Sequence, residues 1–258
     1  MKLAFITDIH FGRLTAGAVE ALLADLRTQQ PDLILIGGDV TQRGLAKQYR
    51  ECQKFLSTLP APWLCVIGNH DVPAWNLFQR FTNPYGPYQK FITRDLNPTW
   101  VNETIAIQGL NSARRFPHNG AWEQGEISDW QIDLAMKFFA QYPGKTKILV
   151  VHHPLMQTPQ QESKMLVHNH AHALNTLAAT GVDIICTGHL HRASVESVQS
   201  KIQVAHKPLW NVMGGTATCD RLRGEANSYW IIEIGAMPRF ALRIFNGISF
   251  GLVEEQKS

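Results

Sequence analysis

Apolar residues along this chain come in two alternating rhythms. Short apolar runs, Leu3-Ala4-Phe5-Ile6, Leu33-Ile34-Leu35-Ile36, Trp63-Leu64-Cys65-Val66-Ile67 and Ile148-Leu149-Val150-Val151 unbroken, Ile105 to Leu110 and Val182 to Cys186 interrupted by Gln108 and Asp183, read as buried strands. Segments of helical period separate the first three. Val19, Leu22, Leu23 and Leu26 fall at i, i+3, i+4 and i+7 in a helix predicted from about Ala16 to Gln29 and stopped by Pro31; a second is predicted from about Leu45 to Leu59. The order β-α-β-α-β predicts a parallel-cored sheet with right-handed crossovers.

The pattern loosens through Pro73, Pro84, Pro87 and Pro98, with a short helix expected around Trp75 to Phe81. Ser128 followed by Gln131 has the spacing of a capping box and opens a helix whose buried stripe is Ile132, Ala135, Met136 and Phe139. A further helix from about Asn169 to Thr180 closes at Gly181. The last third holds short β-like runs, Ser194 to Val198, Ile202 to Ala205, Leu209 to Val212, Tyr229 to Ile234 and Ala241 to Ile244, which predict a second, more antiparallel sheet facing the first. With no repeat, low-complexity tract or linker, one domain over residues 1–258 is expected.

Composition narrows the class. A chain of 258 residues with 45% hydrophobic residues can bury a full core. A net charge of +3 from 24 basic and 21 acidic residues, without a block of like charge, argues against a stable nucleic-acid complex. No segment approaches the roughly 18 consecutive apolar residues of a membrane span, and the apolar run at the start is too short for a signal peptide. Cys52, Cys65, Cys186 and Cys219 are scattered and form no CxxC pair, so a reduced, cytoplasmic protein is expected, with a homo-oligomer compatible.

The chemistry lies where the strands end. Five runs stop on metal-ligating residue types: Asp8 and His10, Gly37-Gly38-Asp39, Asn69 and His70, His152 and His153, His189 and His191. Open α/β sheets bind ligands just past the carboxyl ends of their strands. Any one of these residues serves as readily as a helix cap or a core histidine; the recurrence carries the signal. Asp8, His10, Asp39, Asn69, His152, His189 and His191 offer oxygen and nitrogen donors and no thiolate. That set exceeds the needs of one ion and suits two borderline divalent ions of the zinc, manganese or iron type, with one carboxylate bridging. Two ions about 3.5–4 Å apart hold a phosphate oxygen and a hydroxide together for in-line attack, which makes phosphoester hydrolysis the leading chemistry.

Taken together, Asp8-x-His10, Gly38-Asp39, Gly68-Asn69-His70-Asp71, His152-His153 and Gly188-His189-x-His191, in that order from position 8 to 191, resemble the calcineurin-like metallophosphoesterase superfamily. The flanking Gly38-Asp39-Val40-Thr41-Gln42-Arg43-Gly44 and His191-Arg192 further resemble bacterial class III cyclic-nucleotide phosphodiesterases. The resemblance implies an α/β, four-layer αββα sandwich of two mixed sheets. It implies that Asp8, His10, Asp39 and His191 hold one metal ion, that Asp39, Asn69, His152 and His189 hold the other, and that Asp39 bridges. A metal-bridging hydroxide is the implied nucleophile. His70 then stabilises the phosphate or protonates the leaving oxygen, Asp71 orients its ring, and Asn69 binds through its amide oxygen. The implied substrate is a small-molecule phosphodiester such as a cyclic nucleotide. Exonuclease-type phosphodiesterases, nucleotide-sugar lipid pyrophosphatases, whose apolar groove Trp75, Phe78 and Phe81 would supply, and non-catalytic scaffolds of the same fold are the alternatives.

Other residues invite assignment. His153 is expected to point away from His152 and to hydrogen-bond or pack behind the site. His168, His170 and His172 cannot converge on one ion from a helix, where alternate residues lie about 200° apart, so a surface or pocket-rim place is expected. Arg114 and Arg115, just past the strand Ile105 to Leu110, are candidates to clamp a phosphate, with a solvated pair as the alternative. In the Gly214 to Glu225 segment, Arg221 and Arg223 are candidate substrate contacts, against a turn closed by an Arg221–Glu225 ion pair.

Overall fold

The computed structural model describes residues 1–116, 123–157, 166–197 and 208–256. The predicted βαβαβ unit forms as β1 (Lys2–Ile6), α1 (Ala18–Gln29), β2 (Leu33–Ile36), α2 (Ala46–Ser57) and β3 (Trp63–Cys65), with β2 parallel to both neighbours. The Pro-punctuated stretch holds α3 (Leu77–Thr82), α4 (Gly86–Phe91) and β4 (Thr99–Val101). The periodicity identified only the first of these, because each spans less than two helical turns or three strand residues. Then follow β5 (Ile105–Leu110), α5 (Asp129–Ala140), β6 (Thr146–Val151), α6 (His170–Ala179), β7 (Ile184–Thr187), β8 (Ser194–Ser197), β9 (Trp210–Met213), β10 (Ser228–Glu233), β11 (Arg239–Phe245) and β12 (Phe250–Gln256). At the start of α5 the Gln131 side chain accepts the Ser128 amide at 3.1 Å, as the capping-box spacing requires. The run Ile202 to Ala205 lies outside the described residues.

The strands form two mixed sheets, ordered β12-β11-β10-β1-β2-β3 and β4-β5-β6-β7-β9-β8. This corrects the expectation that the last third builds a separate antiparallel sheet. β10, β11 and β12 are joined by short turns and pair antiparallel, and β10 takes the open edge of β1 antiparallel, so these strands extend the first sheet. The second sheet is parallel at its centre, β5 to β6 to β7 to β9, with antiparallel β4 and β8 at its edges.

Alternation of side chains sorts the core into layers. Leu3, Phe5, Leu33, Leu35, Ile105, Ile107, Ile148, Val150, Ile184 and Cys186 meet between the two sheets. The intervening Ala4, Ile6, Ile34 and Ile36 face Leu22 and Leu26 of α1 and Tyr49 and Phe55 of α2. On the other side, Leu149, Val151 and Ile185 face Ile132 and Phe139 of α5 and Leu174 and Leu177 of α6. The result is helix, sheet, sheet, helix. All four cysteines are buried and free. Among the described residues no helix is long and apolar enough to cross a membrane.

Candidate metal centre and substrate cavity

The loops that leave β1, β2, β3, β6 and β7 converge, and their backbone is strained where they do. Asp8, His10, Asp39, His189 and His191 have φ of 52°, 55°, 52°, 73° and 57°, the left-handed region that costs an ordinary residue about 1–3 kcal/mol. Neighbouring loops hold the strain in place. The Asp8 and His10 amides donate to the carbonyls of Gly38 and Asp39 at 3.1 and 2.9 Å. The Thr216 and Thr218 hydroxyls, from the loop after β9, donate to the carbonyls of Asp8 and Ile9 at 2.7 and 2.8 Å. Gly68 is required by proximity: a Cβ there would lie 2.1 Å from Asp39 Oδ1.

The donor atoms segregate into two groups sharing one oxygen. His10 Nε2 lies 3.2 Å from His191 Nε2, 3.7 Å from Asp8 Oδ1 and 3.6 Å from Asp39 Oδ2. His152 Nε2 lies 3.3 Å from Asp39 Oδ2 and 3.1 Å from Asn69 Oδ1, which is itself 3.0 Å from His189 Nδ1. The other atoms of these groups are already engaged. Asp8 Oδ2 accepts from the Thr7 hydroxyl and the His189 amide, and Asp39 Oδ1 accepts from the His70 amide. His152 Nδ1 donates to the Gly37 carbonyl and His191 Nδ1 to that of Arg221, both at 2.8 Å. Those bonds fix the tautomers and turn each Nε2 lone pair inward.

A proton-free site of this kind places acceptor against acceptor. Asp8 Oδ1 and His189 Nε2 are buried without a hydrogen-bond partner among the described residues, and lone pairs of two carboxylates, an amide oxygen and several imidazoles face one another. Donors bound about 2.0–2.2 Å from a common ion stand roughly 3.0–3.5 Å apart, close to the spacing found here. The donor set therefore fits two cations, with Asp8, His10, Asp39 and His191 able to hold one and Asp39, Asn69, His152 and His189 the other.

The electrostatics follow from the same geometry. Burial opposes the charge on Asp39, but the surrounding imidazoles, His152 first, hold its pKa far below the usual carboxylate range. Burial also opposes protonation of His152, yet the Asp39 carboxylate outweighs it and lifts the pKa to about 9. His189 is driven down to about 3 by burial and then by the neighbouring His152 charge. His153 does not point away from His152 as expected: its ring packs edge-on against that of His152 at 4.9 Å and lies 4.7 Å from that of His189, while its Nδ1 sits 2.7 Å from the Ser112 hydroxyl. The Cys219 sulfur comes within 4.8 Å of donors of His10 and His191, a proximity without a sequence signal. Burial pushes that thiol up to about 11, so it is no thiolate ligand at neutral pH.

His70 packs edge-on against the His10 ring at 4.8 Å, and its Nδ1 lies 2.8 Å from the Gln42 carbonyl, to which it donates. This corrects the role given to Asp71. Both Asp71 oxygens are turned away from the ring: Oδ1 accepts from the Thr41 amide and hydroxyl at 2.8 and 3.0 Å, and Oδ2 from the amides of Gly68 and Val40 at 3.0 and 3.3 Å. Asp71 thereby ties the loop after β2 to the Asn69–Asp71 turn. Gln42, which sequence reasoning passed over, orients His70.

A cavity of about 370 Å³ opens over this centre, lined by Asp39, Asn69, His70, His189 and His191 and, around them, Ala74, Arg80, Glu123, Arg221 and Arg223. Arg221 and Arg223 are where the sequence placed them. Arg114 and Arg115 are not among the lining residues. Arg114 turns instead to Glu126 at 3.4 Å and Gln131 at 2.8 Å, and Arg115 to the Phe81 carbonyl at 3.3 Å. Their carbonyls hold Arg80, a lining residue with no local sequence signal, since its position depends on partners 34 and 35 residues away. The alternative, an Arg221–Glu225 ion pair, is not formed among the described residues: Glu225 accepts the Ala193 amide at 2.8 Å. His170 Nδ1 contacts the Val167 carbonyl and His172 faces Asp129, both away from the cavity lining. Trp75 and Phe78, 74% and 79% exposed, follow Ala74 in sequence and are not among the lining residues, while Phe81 stacks on Phe116.

Comparison with known proteins agrees with this architecture. The calcineurin-like phosphoesterase family profile matches residues 1–193. A probable cyclic nucleotide phosphodiesterase of Synechococcus is 21% identical over 76% of this chain and 75% of its own length. A 3',5'-cyclic adenosine monophosphate phosphodiesterase of Haemophilus influenzae is 24% identical over 89% of this chain and 80% of its own. Among solved structures, a dimetal phosphatase from Danio rerio superposes with a TM-score of 0.65 over 98% of each chain at 11% identity, a likeness of fold.

Proposed function

This chain belongs to the calcineurin-like phosphoesterase family, and from that premise we propose that it is a two-metal phosphodiesterase acting on a small-molecule phosphodiester of the cyclic-nucleotide kind, with residues 1–258 working as one domain. The observation that carries the reading is the convergence of both donor groups on Asp39 Oδ2, with Asn69 and His70 facing the same cavity. Bound ions would supply positive charge to a phosphate oxygen and lower the pKa of a water molecule. The chain's own residues do the rest. Asp39, Asp8, His10 and His191 on one side, and Asn69, His152 and His189 on the other, set the positions of those ions. His70, held through Nδ1 by the Gln42 carbonyl, presents Nε2 to the cavity and donates its proton to the leaving oxygen. Relatives named as cyclic nucleotide phosphodiesterases support the choice of a diester over a monoester. The exposed Trp75 and Phe78, next in sequence to the lining residue Ala74, favour a second reading, a pyrophosphatase of lipid-linked nucleotides.

The test is hydrolysis of bis(p-nitrophenyl) phosphate, p-nitrophenyl phosphate and cyclic nucleotides by protein loaded with manganese, iron or zinc. Asp39→Ala loses both metal and turnover. His70→Ala keeps its metal and loses about 10²–10⁴-fold in kcat, most severely for esters with poor leaving groups, which need the proton. A His70→Ala protein as active as the parent removes His70 from the reaction.

A further inference from the structure

The segment Asp220-Arg221-Leu222-Arg223-Gly224-Glu225 is balanced in sequence, two acids against two arginines, and the fold undoes the balance. Asp220 is taken by Arg13 in an ion pair, and Glu225 by the Ala193 amide. Among the described residues no ion pair is formed by Arg221 or Arg223, and both line the cavity. Like charges are gathered here instead. Arg223 is held in the left-handed region, φ 50°, before Gly224 at 92°. Burial, together with the charges of Arg221 and Arg192, pulls its pKa below the usual guanidinium value, with Asp8 pulling the other way. Collecting cations on a cavity wall costs free energy that a bound anion returns.

The wall is also fixed in position. The Arg221 carbonyl receives His191 Nδ1, and the same loop is tied through Thr216 and Thr218 to the backbone that carries Asp8 and His10. Arg80, which lines the same cavity, is held by the carbonyls of Pro73, Arg114 and Arg115 at 3.2, 3.1 and 3.0 Å. A simple phosphodiester brings one negative charge, and Asp39, Asn69, His189 and His191, from the donor groups able to hold cations, already line the cavity to meet it. Arg221 and Arg223 line the same cavity, beside Arg80 and Glu123, and add positive charge beyond what that single negative charge needs. A volume of about 370 Å³ leaves room for a ligand of nucleotide size.

Resting on the phosphodiesterase reading above, we propose that Arg221 and Arg223 form a subsite for a second phosphate group, so that the substrate is a small phosphodiester carrying a further phosphate beyond the scissile one. Planar guanidiniums are suited to a phosphate by paired, charge-assisted hydrogen bonds. The subsite selects for charge on the departing or retained alcohol, a distinction that the cations alone do not make.

Binding decides this independently of turnover. Calorimetric titration of the manganese-loaded protein with adenosine 5'-monophosphate and adenosine 3',5'-bisphosphate should give about tenfold or greater preference for the bisphosphate, falling to about threefold or less in an Arg221→Gln/Arg223→Gln protein whose metal content matches the parent. A parent that binds the two ligands equally, or a preference untouched by the double substitution, overturns the subsite. Hydrolysis of thymidine 5'-(p-nitrophenyl phosphate), run beside the titrations, separates the two claims. Turnover without the bisphosphate preference sinks the subsite and spares the activity; the preference without turnover does the reverse.

Discussion

His152 shows how much a single contact decides. Its Nδ1 bond to the Gly37 carbonyl leaves Nε2 against Asp39, and the carboxylate overcomes burial to raise the pKa to about 9. A raised histidine pKa means that the proton is bound at neutral pH unless a cation displaces it, and that its stabilising contact with Asp39 is present at low pH and lost as pH rises through about 9. His189, lowered to about 3, is already neutral there and has no proton to release. Loading the protein with metal at pH 7 should therefore release about one proton from His152, with a further contribution from His191, whose pKa is also raised. Calorimetry in buffers of different ionisation enthalpy reads that number directly; metal binding with no proton release contradicts it. At this scale the candidate donors were legible because Asp, Asn and His recur at strand ends. The partners that orient them were not. Gln42 reaches His70 through its main chain, and Arg80 reaches the cavity through carbonyls far along the sequence. Neither arrangement leaves a mark in residue type or spacing, and the assignment of Asp71 to the His70 ring failed because adjacency in the chain is not adjacency of side chains.

Among the elements, the loops matter more than the strands that launch them. Gly68 ends the approach of β3 with its α-carbon pressed against Asp39, and an added methyl at 2.1 Å from Oδ1 cannot be met by a flexible tip, since that carboxylate is bonded to the His70 amide. Gly68→Ala should fold, because its extended backbone is open to any residue, yet displace the shared oxygen and weaken metal binding by about 100-fold, a loss typical of disturbing a ligand's support. Metal titration with circular dichroism as the folding control checks it; unchanged affinity contradicts the tight packing. The central strands were readable because both faces are buried, giving unbroken apolar runs. The assignment of the last third to its sheets was not readable. Alternation reports that a strand has neighbours, not which edge it joins, and the free edge of β1 was available to β10.

For the molecule as a whole, two sheets bring their carboxyl ends to a common rim, and each contributes donors that the other lacks. Asp8, His10, Asp39 and Asn69 come from loops of the first sheet, His152, His189 and His191 from the second, so neither layer holds a complete set of donors by itself. The four-layer arrangement was inferred through the five motif blocks and not from hydrophobic pattern, which had placed the terminal strands in a separate sheet. What the sequence could not convey is the sharing of Asp39 Oδ2 between His10 and His152 at 3.6 and 3.3 Å. Electron paramagnetic resonance of the protein loaded with manganese(II) tests that sharing most directly. Two equivalents per chain with an exchange-coupled spectrum are expected, and an uncoupled spectrum of isolated ions, or saturation at one equivalent, would contradict it.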